Sequence, residues 1–83
     1  MIPQDPDVLL GRKETADALT EAGFRIAEAT LTTMASRGGG PPYRRFGPRA
    51  LYRWGDSLEW ARSRLSAPRR SAAEHAAAQG DAA

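Results

Sequence analysis

Between Arg37 and Arg53 the chain carries five arginines (Arg37, Arg44, Arg45, Arg49 and Arg53) and no acidic residue. Guanidinium presents a planar fork of donors that fits phosphate oxygens two at a time. Most of the acids lie earlier, at Asp5, Asp7, Glu14, Asp17, Glu21 and Glu28, and Lys13 is the one lysine among twelve basic residues. The net charge of +2 therefore hides a segregated distribution. A local arginine cluster on a modestly charged chain points to a face for a polyanion. The plain alternative is a solvated, arginine-rich surface.

Other chemistry is excluded by inventory. The chain has no cysteine, so it has neither a disulfide framework nor a thiolate metal site. Its one histidine, His75, stands in an alanine-rich run, where a lone histidine is far more often bland than catalytic. Gly38-Gly39-Gly40 follows a helical segment instead of preceding one, so it is no phosphate cradle. Neither an enzyme, a cofactor nor a metal is expected. The first residues, Met1-Ile2-Pro3-Gln4-Asp5, lack the basic and apolar regions of a signal peptide, and no apolar run approaches the roughly 20 residues of a membrane span. With 83 residues, one small domain in the reducing cytoplasm is the expectation.

The elements that must hold the arginines follow from periodicity and punctuation. Residues 1–7 read as an extended lead-in, with Val8, Leu9 and Leu10 docking on the core. A first helix runs from about Arg12 to Ala22, with Gly11 at its N-cap, Glu14 at the capping-box position, and Ala16, Leu19 and Thr20 on one face. Gly23 ends it. A second helix covers about Ala27 to Ser36, with Leu31, Met34 and Ala35 inward. Two short helices around a glycine turn match a helix-turn-helix. The run Arg37 to Pro42 stops the second helix. Tyr43 to Phe46 and Ala50 to Arg53, around Gly47-Pro48-Arg49, read as a β-hairpin that must pack on the helices to be stable. Leu51 and Tyr52 are adjacent, so only one can point squarely inward. A third helix is predicted over Ser57 to Leu65, capped by Asp56 with Glu59 closing the box, and with Trp60, Ala61 and Leu65 in the core. Trp54 and Trp60 supply much of the burial. The fold class is mainly α: a winged helix-turn-helix of three helices plus a two-stranded wing over residues 8–65, with a disordered basic and alanine-rich tail over 66–83.

Several stretches sharpen that reading. Leu9-Leu10-Gly11-Arg12-Lys13-Glu14 opens the first helix, and Thr30-Leu31 lies within the second. Gly39-Gly40-Pro41-Pro42-Tyr43-Arg44 enters the wing, and Leu51-Tyr52-Arg53 leaves it. Together they resemble the excisionases, or recombination directionality factors, a MerR-like and AlpA-like winged helix-turn-helix group. The stretch Arg64 to Arg70 is similar to the subset found on proteobacterial mobile elements. Gly11, Trp54 and Ser57 depart from the group, where Thr or Ser, Pro, and Leu are common. The resemblance implies a non-catalytic, nucleoid-associated protein. Such a protein binds several sites beside an attachment site, bends the DNA, and tilts a tyrosine or serine recombinase toward excision. Relatives with the same domain regulate transcription. An antirepressor-like protein-interaction module is a third possibility.

The residues themselves suggest how duplex DNA would be held. The second helix would enter the major groove, offering Glu28, Ala29, Thr30, Thr32 and Thr33, with Arg25 before it and Arg37 after it. With no Asn, Gln or interior Arg, it has few bidentate base readers. For Thr30 a bond to its own helix backbone is the competing role. The wing, with Tyr43, Arg44, Arg45, Pro48, Arg49 and Arg53, would enter the minor groove, and Arg12 and Lys13 would hold phosphates. Weak single-site specificity then calls for several copies, assembled head to tail. The tail is a candidate for holding a neighbour or a recombinase.

Overall fold

A computed structural model describes residues 2–68. The order of elements is β1 (Leu9–Leu10), α1 (Arg12–Glu21), α2 (Glu28–Arg37), β2 (Arg44–Phe46), β3 (Arg49–Arg53) and α3 (Trp54–Ser63). Three helices pack with one three-stranded antiparallel sheet of order β1-β3-β2. The expected two-stranded wing is thus corrected. The Leu9-Leu10 pair, read as part of a docking lead-in, forms a third strand on the far side of β3, with Leu9 opposite Arg53 and Leu10 opposite Tyr52. A two-residue strand leaves no periodic signal in a sequence.

α1 begins after Gly11, in extended conformation and without a side-chain cap, and ends in a Schellman motif. Phe24 N–H donates to Leu19 O at 2.7 Å and Gly23 N–H to Thr20 O at 3.1 Å. Gly23 sits at φ +105°, a conformation in which a β-carbon would be strained. The turn sets the angle at which α2 leaves. The buried face of α1 is Thr15, Ala16, Ala18 and Leu19. Thr20, expected inward, is exposed; its hydroxyl instead bonds the backbone of Ile26 and so braces the turn. Thr15 is fully buried because its hydroxyl donates to Gly11 O at 2.8 Å, leaving no unmet polar atom.

β2 and β3 meet at the two-residue turn Gly47-Pro48, with Phe46 opposite Arg49. Gly47, at φ +61° in the first central position, is the residue a type II′ hairpin turn requires. Tyr52 is the strand residue that points inward, buried to 1 % exposure, while its neighbour Leu51 is half-buried on the other face.

α3 starts three residues before the expected Ser57. Asp56 is therefore not its cap: it lies in the first turn and pairs with Arg53 at 2.9 Å. The first amides are met instead by the lead-in, Trp54 N–H donating to Val8 O at 2.9 Å and Gly55 N–H to Pro6 O at 2.8 Å. A capping pattern is local, whereas these acceptors arrive from the other end of the domain. Trp54 is buried with Ala18, Leu19 and Ala61, and Val8, Leu10, Phe24, Ile26, Leu58 and Trp60 pack around them. Leu65, expected in the core, lies beyond the end of α3 and is 64 % exposed. The tail expected from residue 66 lies, beyond Pro68, outside the described residues. Among the described residues no helix is long and apolar enough to cross a membrane.

Candidate nucleic-acid interface

α2 presents the first half of the site. Successive residues turn by about 100°, and Leu31 is buried with Met34 and Ala35 half-buried. The opposite face carries Ala29, Thr32, Thr33 and Ser36, all small and all exposed, with the exposed carboxylate of Glu28 at its N-terminal edge. Thr32 and Thr33 donate to Glu28 O and Ala29 O, both at 3.1 Å, so their hydroxyl hydrogens are held by the helix. Thr30 falls off this face. It lines an open groove between α2 and α3 with Met34, Trp60 and Leu65. The competing backbone role considered for Thr30 is thus taken by Thr32 and Thr33. Ser36 was missed by the sequence reading, although helical spacing from Thr32 would have found it. Arg37 sits in the last turn and Glu28 in the first, both favourable to the helix dipole.

The hairpin presents the second half. Cross-strand partners share a face, so Arg44 and Leu51 lie on one side with Phe46 and Arg49, while Arg45 and Ala50 lie on the other with Tyr52. Arg44 and Arg45 therefore project from opposite faces of the ribbon. The Tyr43 and Tyr52 rings meet at 5.5 Å between centroids. Tyr43 thus belongs to the inward side, and its exposed edge is what remains for a ligand. Arg12 donates from Nε to the Tyr52 hydroxyl at 3.0 Å, and its guanidinium lies 5.8 Å and 5.9 Å from the Tyr43 and Tyr52 centroids. The root of the hairpin is thereby fixed to the first turn of α1. Arg49 reaches back toward the start of α1, its Nη2 3.3 Å from where a β-carbon on Gly11 would stand. Arg12, Lys13 and Arg49 consequently line one shallow groove with Glu14 and Glu28.

One expected wing residue is already engaged within the domain. Arg53 holds Asp7 through Nη2 at 2.7 Å and Nε at 3.0 Å, and Asp56 through Nη1 at 2.9 Å. These bonds raise its pKa, the Asp7 hydrogen bond most, and leave the fork committed within the domain. Lys13 is paired with Asp17 at 3.1 Å, whose hydrogen bond and charge raise its pKa. By contrast, among the described residues Arg25, Arg37, Arg44, Arg45 and Arg49 are exposed and make no ion pair. Pro48 shapes the hairpin tip and carries no donor.

No family model, curated protein or solved structure matches this chain.

Among the described residues, no group of three His, Asp or Glu side chains is placed to hold a metal ion. The loop from α2 to β2 is pinned where Trp60 Nε1 donates to Gly39 O at 2.9 Å, with Arg64 Nη1 on the same oxygen at 3.2 Å and its guanidinium 5.4 Å from the Trp60 centroid. The exit of α2 and the entry of the hairpin are thereby fixed relative to α3. What the arrangement can do chemically is present unpaired guanidinium groups from a narrow ribbon beside a helix whose outer face is small and polar. Phe46, left out of the candidate set on sequence, stands at the ribbon's end; period-two spacing from Arg44 would have placed it on the same face.

Proposed function

We propose that the protein binds double-stranded DNA as a winged helix-turn-helix of the excisionase kind, with α2 in the major groove and the β2–β3 hairpin in the adjacent minor groove. The observation that carries this reading is the acid-free hairpin whose Arg44, Arg45 and Arg49 are exposed and unpaired, beside the small polar face of α2. A helix with Ala29, Thr32, Thr33 and Ser36 outward can approach base edges closely but discriminates weakly. Phosphate contacts therefore dominate affinity. Several copies set head to tail on tandem sites then supply specificity, curve the DNA, and favour excision by a recombinase. The reading gives the molecule no catalytic step; its chemistry is charge, shape and assembly. A single-operator regulator built on the same domain is the neighbouring alternative.

The test is a gel-shift titration on duplexes flanking the attachment site of the element that carries the gene, over a salt series and several lengths. With about 5 phosphates neutralised, log K should fall by roughly 4 to 5 per decade of salt. A ladder that sharpens with length supports cooperative assembly, and one salt-sensitive band at every length supports the regulator. No shift at low salt would remove the DNA reading altogether.

A further inference from the structure

Phe46 is 74 % exposed, more than any other large apolar side chain among the described residues. It closes β2 immediately before the Gly47-Pro48 tip, opposite Arg49 and two residues from Arg44 on the same face. No other ring packs against it: the described aromatic pair is Tyr43 with Tyr52, on the other side of the ribbon. A phenylalanine left in water at the end of a hairpin gives up one of the larger gains a side chain can contribute to folding. Its surroundings restrict what could cover it. Arg45 projects from one face of the ribbon and Arg44 and Arg49 from the other, all unpaired, with no acid between Arg37 and Arg53. A protein surface would meet one face of such a ribbon. A groove with phosphates along both walls meets both.

The dimensions add a second constraint. Strands in a ribbon lie about 4.8 Å apart before side chains are added, whereas an undistorted minor groove is about 6 Å wide. The hairpin enters only if the groove opens. An apolar side chain driven into a base step from the minor-groove side opens it, unstacks that step and kinks the duplex toward the major groove. Pyrimidine–purine steps yield most easily.

We propose that Phe46 is a wedge that enters a pyrimidine–purine step from the minor groove and sets the local bend at the hairpin tip. The proposal rests on the DNA reading above and assigns the apolar residue at its tip. Phe46 then selects sequence by deformability, at a position where the helix reads little.

The experiment uses the full chain as wild type, Phe46→Ala and Phe46→Leu, on a duplex selected by the wild type from a random-sequence pool. 2-Aminopurine replaces adenine at successive steps under the hairpin, and end-to-end energy transfer reports the bend. The wild type should raise 2-aminopurine emission at one step and kink the duplex by an angle on the order of 20–90°. Phe46→Ala should abolish both signals and weaken binding roughly ten- to a hundredfold, with the salt slope unchanged because the substitution removes no cationic group. Phe46→Leu, still apolar, should retain part of both signals. Circular dichroism on an exposed position should show all three proteins equally folded. If Phe46→Ala binds, bends and unstacks like the wild type, the wedge is overturned. If it loses only the higher complexes on long duplexes, Phe46 meets another copy of the chain and the wedge is again overturned. If the wild type selects no duplex at all, the DNA reading falls first and the wedge with it.

Discussion

Arg53 and Arg44 leave the same hairpin on the same face, yet their surroundings give them opposite roles. Arg53 is tied to Asp7 and Asp56, which raise its pKa and fix its fork inside the domain. Arg53→Ala should therefore lower the urea midpoint and leave the salt slope of DNA binding unchanged. Replacing Arg44, Arg45 and Arg49 together should do the reverse, reducing the slope by about 0.9 for each phosphate no longer neutralised while stability stays within about 0.5 kcal/mol. Tyr52→Phe removes the acceptor of Arg12 at a buried position and should cost about 1 kcal/mol in urea unfolding, with the hairpin root loosened. For Lys13, the bond to Asp17 raises the folded-state pKa above 10.5. Its contribution to stability is therefore complete below that value and lost only as the pH climbs through the raised one. The urea midpoints of wild type and Lys13→Met should converge in strong alkali. At this scale the arginine cluster was legible because composition is local. The withdrawal of Arg53 was not, because Asp7 lies 46 positions away.

At the level of elements, the punctuation read well and the long-range supports did not. Gly11 before α1, Gly23 after it, the glycine run after α2 and the Gly47-Pro48 turn all stand where sequence put them. Each is a conformational signal carried by one or two residues. The start of α3 was misplaced because Asp56 and Glu59 imitate a capping box, whereas the carbonyls of Pro6 and Val8 do the capping. A chain beginning at Leu9 loses both acceptors. It should be less stable by about 2 kcal/mol, read from the urea midpoint, with α3 fraying first in amide exchange. On the candidate interface, Ala29, Thr32 and Thr33 stand exposed on one face of α2 with Glu28 at its edge, whereas exposed Thr30 turns toward the groove between α2 and α3. Its turn toward α3 depends on where that helix lies, not on α2 itself.

For the molecule as a whole, few side chains carry the core. Leu19, Leu31, Tyr52 and Trp54 are the large side chains buried to 3 % exposure or less. Truncating Leu19 to Ala should cost about 2–5 kcal/mol, comparable to everything a domain of this size holds. A thermal scan of that variant should show little or no cooperative transition. A core so lean makes the joining of its outer elements decisive. β1 pairs with β3, and the amides that open α3 find their acceptors at residues 6 and 8. The first strand therefore has no partner until β3 exists, and the lead-in before it has none until the last helix does. On the ribosome, the domain should remain protease-sensitive while α1, α2 and most of the hairpin emerge. It should become resistant only when nascent chains are long enough to release Ser63 from the exit tunnel.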